Sequence, residues 1–115
     1  MKILNVKVRK TAKSDETLGD IYVKALDFDE IQKYFEKIQG VDSDEERLRL
    51  VQMCLVLKNG TNVFKPQQLN VIKSRMIGSH LMKAMLAVTK VNDLESFGDF
   101  ADDFSKNSES DQVSD

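Results

Sequence analysis

The 115-residue chain contains one cysteine, one histidine, one proline and no tryptophan. A lone thiol, Cys54, excludes an intramolecular disulfide and any multi-cysteine metal site. His80 has no imidazole companion with which to ligate a metal. A nucleophilic dyad with Cys54 needs that thiol partly exposed in electropositive surroundings, whereas VQMCLVL reads as a buried packing context. His80, in the first turn of a helix, reads as a surface residue. Glycines number five, and KNG at 58–60 lacks the further glycines and the GK[ST] ending of a phosphate loop, so it reads as a turn. The longest apolar run, around Met53–Leu57, is far short of the roughly 20 residues that cross a bilayer. The N-terminus lacks an apolar core followed by a small-residue cleavage site, so no signal peptide and a cytosolic location are expected.

Strong net charge is also missing. A formal charge of −2 argues against nucleic acid as ligand, and no aromatic is interleaved with the basic start as single-strand binders require. Carboxylate pairs such as Glu45-Glu46 and Asp102-Asp103 sit in solvated contexts, without the desolvation that general acid catalysis needs. The expectation is a protein that is not an enzyme, with no cofactor, metal, nucleic-acid or membrane partner. The charge that is present is unevenly placed. Lys2, Lys7, Arg9, Lys10 and Lys13 open the chain without an acid, while residues 93–115 carry eight acids against Lys106 alone. That asymmetry predicts an acidic solvating tail and self-association into a homo-oligomer through opposite ends.

Hydrophobic content of 41% supports one small core, here assigned to residues 1–92, with 93–115 as a flexible acidic tail. The predicted class is α+β and mainly helical: an N-terminal β-pair, about four helices and the tail. In KILNVKVRK, Leu4, Val6 and Val8 alternate onto one side of a strand, and IYVKAL supplies the partner through Ile21, Val23 and Ala25. Asp27 predicts an N-cap with Glu30 completing a capping box, and Leu26 and Ile31 form a staple. Phe28, Ile31, Phe35 and Ile38 make the apolar stripe of this first helix, and Gly40 stops it. Ser43 predicts the start of a second helix, with Glu46 closing its box and three acids favoured by the helix dipole. Its second half is apolar nearly all round, as a buried central helix should be.

The stretch CLVLKNGTNVFKPQQL admits two readings. Asn-Gly between apolar runs is a hairpin signal that would pair MCLVL with TNVF. The helical pattern from Ser43 runs unbroken to Leu57, which favours a helix ended by Asn59-Gly60 and then an extended piece seating Phe64 on the core. Pro66 opens a third helix, about 66–77. Gly78-Ser79 breaks it with a fresh N-cap, and a fourth helix runs from about 80 to 91. Leu81, Met85 and Val88 share one of its faces; Met82 and Leu86 share another that asks for a cover. Beyond Asn92, Leu94, Phe97, Phe100 and Phe104 recur at helical spacing, and the polar end has little to bury. Met76, Leu81, Met82, Met85 and Leu86 are the candidate partner-binding residues. Methionine is flexible and polarizable, and adaptable apolar surfaces use it heavily. Ordinary core filling is the competing reading.

The linear order resembles that of phage tail assembly chaperones. YVKALDFDEIQKYFEKIQ is followed by DEERLRLVQMCLVL, KNGTNVF, PQQLNVIKSRMIGSHLMKAMLAV and a polar KNSESD end, with residues 44–64 the nearest in character. The resemblance implies a non-catalytic assembly factor acting in the host cell cytoplasm. It would bind apolar helical segments of the tape measure protein and keep them soluble until tail tube subunits polymerise. A longer product of programmed translational frameshifting would recruit tail tube protein, and this chain would be the short form. The rival expectation is a small structural or head–tail adaptor subunit retained in the virion.

Overall fold

The computed structural model describes residues 1–94; the expected helix around Phe97–Phe104 and the polar end lie outside the described residues. The fold is α+β and mainly helical. Its order is β1 (Lys2–Leu4), β2 (Ile21–Val23), α1 (Phe28–Lys37), α2 (Ser43–Cys54) and β3 (Leu55–Val56). A 3-10 turn (Pro66–Gln68) then leads into α3 (Leu69–Arg75), and α4 (Gly78–Val91) follows.

The expected β-pair is there, and a third strand joins it. β2 lies between antiparallel β1 and β3, with Leu4 opposite Ile21 and Val23 opposite Leu55. β1 is shorter than the alternating stretch that predicts it, because the Val6 N–H turns back to the Leu4 carbonyl at 2.9 Å. Val6 and Val8 remain buried. The chain pairs again where Leu18 N–H reaches the Val8 carbonyl and Lys10 N–H that of Glu16. Ala25, expected to share the face of Ile21 and Val23, is exposed, and Leu26 turns inward in its place.

α1 starts as its sequence dictates. The Asp27 carboxylate accepts from the Glu30 N–H at 2.8 Å, and the Glu30 carboxylate accepts from the Asp27 N–H at 3.0 Å, satisfying two donors that the helix leaves unpaired. The inward stripe differs from the expected one by a residue. Phe28, in the first turn, is 72% exposed, while Tyr34 is buried. Ile31, Tyr34, Phe35 and Ile38 thus face the core at i, i+3, i+4 and i+7, the full period of an amphipathic helix. Gly40 adopts φ +75° in the following turn.

α2 is the central element, in contact with α1, α3 and α4. Its cap is Asp42, whose carboxylate accepts from Glu45 N–H at 2.8 Å. Ser43, expected in that role, is the first helical residue instead. Aspartate and serine cap about equally well, so a one-residue shift costs nothing. Leu48, Leu50, Val51 and Cys54 are all buried, as the apolar second half requires.

The two readings of CLVLKNGTNVF are both partly realised. The helix ends at Cys54, five residues before Asn59, and Leu55–Val56 becomes β3. A hairpin then follows the helix rather than replacing it. The Gly60 N–H reaches the Leu57 carbonyl, the Leu57 N–H reaches the Thr61 carbonyl, and Val63 N–H returns to Leu55, all at 2.8–3.0 Å. Gly60 has φ +89°: a type I turn followed by a left-handed glycine, the usual three-residue hairpin loop. Phe64 is fully buried, as expected.

Pro66 opens the 3-10 turn, and α3 ends at Arg75, short of the expected residue 77. α4 begins at Gly78, with Ile77 at the cap position and no side-chain cap; Ser79 lies inside the first turn rather than capping it. At its other end Leu94 N–H bonds the Thr89 carbonyl and Asp93 N–H that of Lys90, with Asp93 at φ +54°. This is a Schellman cap with aspartate in the left-handed position. Leu94 packs on the core, so Asp93 and Leu94 close α4.

Candidate partner-binding surface

Two polar anchors hold α4 and its neighbours, and they decide which side chains are left at the surface. The first is Asn92. Its Oδ1 accepts from Leu26 N–H at 2.7 Å; its Nδ2 donates to the Val88 carbonyl at 2.8 Å and to Cys54 Sγ at 3.3 Å. One carboxamide therefore joins the end of α4, the β2–α1 junction and the end of α2. The second lies at the start of α4, where His80 Nδ1 accepts the Lys7 N–H at 2.8 Å.

A third set fixes the ground beneath. Buried Gln52 donates to the Phe64 carbonyl at 3.2 Å and accepts from Arg49, which also donates to the Pro66 carbonyl at 2.9 Å. The Asn62 carboxamide donates to the carbonyls of Gln52 and Met53. Arg75 Nε donates to the Arg9 carbonyl, Arg9 Nη2 donates to the Ser74 carbonyl, and the Arg75 guanidinium lies 5.2 Å from the Phe64 ring centroid. These bonds lock the hairpin and α3 against α2.

With its ends tied, α4 divides by face. Leu81, Ala84 and Val88 are buried, and Met76 just before the helix is buried with them. Met85 is half-buried against the core. Met82 is 60% and Leu86 68% exposed. Of the five candidate residues, Met76 and Leu81 are thus core fillers, Met85 lines the edge, and Met82 and Leu86 face outward one helical turn apart. Exposed Lys90 continues that ridge and exposed Lys83 adjoins it. Ile77 and Phe28 are exposed too. Phe28 was expected on the inward stripe, but it precedes the part of α1 that meets the core; Ile77 lies just after α3 ends at Arg75.

The residues with chemistry of their own are occupied structurally. Cys54 is fully buried, and desolvation pushes its thiol up to about 12, against a smaller lowering by Asn92; a thiol of that kind is a poor nucleophile. Burial likewise raises the Tyr34 phenol. Among the described residues no group of three His, Cys, Asp or Glu side chains is placed to hold a metal ion, and no helix is long and apolar enough to cross a membrane.

Fold and surface together define a small α+β domain that presents one apolar ridge of a helix whose opposite side is core. No family model, curated protein or solved structure matches the chain.

Proposed function

We propose that the chain is a phage tail assembly chaperone that binds apolar helical segments of the tape measure protein and holds them soluble in the host cytoplasm. The observation that carries this is the outward pair Met82 and Leu86 on an otherwise core-seated helix. A client helix lays its own apolar stripe along such a ridge, reading it at i and i+4. Met82 adapts to different client side chains because its thioether arm is flexible and polarizable. Met76 and Leu81 hold the ridge from below, and Met85 widens its edge. Two exposed side chains give only weak binding per copy. That suits a coat that has to come off, with repetition along a long client supplying avidity. The protein acts without catalysis or cofactor, and a longer product of the same reading start brings tail tube protein to the complex.

The test is co-expression with the tape measure protein of the same phage, measuring how much of it stays soluble and co-purifies. The expected result is a large gain in soluble client with many copies bound. In the variant Met82→Asp with Leu86→Asp the fold persists and the gain is lost. No gain with the natural chain, together with its recovery from purified virions, overturns the reading in favour of a structural or adaptor subunit.

A further inference from the structure

The sheet has one closed edge and one open edge. Beyond β3 the chain folds back on itself: Val63 N–H reaches the Leu55 carbonyl at 3.0 Å, Leu57 N–H reaches that of Thr61 at 2.8 Å, and Val56 pairs with Asn62. β1 has β2 on one side only. Among the described residues no other segment hydrogen-bonds Lys2 or Ile3 from the far side. Such an edge presents unpaired N–H and C=O groups, a template for one further strand. Burial also runs out toward it. On the face opposite Ile21, Val23 and Leu55, Ile3 stands beside Tyr22 and Tyr22 beside Val56. Val56 is fully buried, Tyr22 half-buried and Ile3 60% exposed.

We propose that a second copy of this chain supplies the missing strand, its β1 pairing antiparallel with this β1 about a two-fold axis through Ile3. A two-fold contact sets the same patch against itself, and an open antiparallel edge is its own complement. The register follows from the side chains. Paired residues point to the same face of a sheet, so a two-fold pairing of this strand centres on a residue. Centred on Ile3, it uses all of β1: Ile3 meets Ile3 of the second copy, and Lys2 meets Leu4 at both ends. Centred on Lys2, it would set two ammonium groups opposite each other, which destabilises. Centred on Leu4, it would need Val6, whose N–H has already turned back to the Leu4 carbonyl at 2.9 Å. Edge pairing of this kind closes at two copies, unlike association through opposite ends. Three residues from each strand bury well under the roughly 1,000 Å² expected of a stable interface, so the pair is weak and fills at high protein concentration. It needs no client, although copies gathered along one client would pair more readily.

Sedimentation velocity of the full chain over a concentration series tests the pairing, alongside the full-length variant Ile3→Lys. The natural chain should shift from monomer toward dimer as concentration rises, with no larger species. Ile3→Lys should stay monomeric with an unchanged circular dichroism spectrum, because Ile3 is exposed in the single copy. Met82→Asp with Leu86→Asp should dimerise like the natural chain. A natural chain that stays monomeric at its highest soluble concentration overturns the proposal, and so does growth past the dimer. A dimer that survives Ile3→Lys, or is lost in the α4 variant, overturns it too, because the copies then meet elsewhere. Ile3→Cys gives a reading that does not depend on how lysine is tolerated. Under mild oxidation it should cross-link into disulfide dimers several-fold faster than Lys2→Cys, since only the residue on the axis faces itself. Equal rates overturn the proposal. Cys54 is buried and stays out of this exchange. No client enters any of these measurements, so the pairing and the chaperone reading stand or fall separately.

Discussion

α2 and α4 are the two long helices of the core, and they are built to opposite specifications. α2 is enclosed: its buried positions include Leu48, Leu50, Val51, Gln52 and Cys54, and its one buried polar side chain is fully used by Phe64 and Arg49. α4 is enclosed on one side only, by Leu81, Ala84 and Val88, and leaves Met82 and Leu86 outside. Enclosure fixes geometry, since a change at any of these buried positions is felt by a neighbour. A half-open helix leaves room for change on its outer side at little cost to the fold. The contrast locates where stability and where binding are expected to reside.

The contrast can be broken most severely at the floor of α2. Phe64→Ala removes the largest fully buried side chain together with its contact to Arg75, and should cost about 3–5 kcal/mol, measured by denaturant unfolding. Asn92→Leu is next. It strips hydrogen bonds from the Leu26 N–H and the Val88 carbonyl, a loss of about 1–3 kcal/mol, and the Cys54 resonance should move with it. The caps sharpen the comparison at smaller scale: Asp42→Ala should cost about 1 kcal/mol, whereas Ser43→Ala should be nearly neutral, the reverse of what the capping pattern suggests. The smallest effect is the acid response of Glu30. Its carboxyl is held below the ordinary 4.5, first by the hydrogen bond from Lys24 and then by the Asp27 backbone. A depressed carboxyl contributes stability above its unfolded value and loses it as pH falls through the folded one. The Lys24–Glu30 pair at 2.8 Å is partly solvent-exposed, so Lys24→Met should flatten the acid limb below pH 4.5 by only roughly a few tenths of a kcal/mol. On the outer side of α4, Met82→Asp should change unfolding by no more than about 0.5 kcal/mol.

Much of the architecture was legible because local signals agreed with tertiary ones. The Asp27–Glu30 box, the burial of Phe64 and the two-faced pattern of Leu81, Met82, Leu86 and Val88 each follow from spacing alone. β3 was not legible. In MCLVL every residue is apolar, so helix and strand periods fit equally well, and the choice fell to pairing with Val23 and to the return of Val63 onto Leu55. The cap of α2 slipped by one residue because aspartate and serine offer a capping acceptor oxygen about equally well. The site was half legible. Periodicity separates the faces of α4, but it cannot tell that Met76 lies under the helix, because that depends on where α3 stops. Asn92 carried no motif at all; its role exists only once three distant backbone segments meet around it.

That meeting point has a mechanical side. Because the Asn92 carboxamide clamps Leu26, Val88 and Cys54 together, and the Schellman cap seats Leu94, everything downstream departs from a fixed post on the domain. Load applied at Leu94 should therefore reach the β2–α1 corner and the end of α2 through Asn92 before the last turn of α4 unwinds.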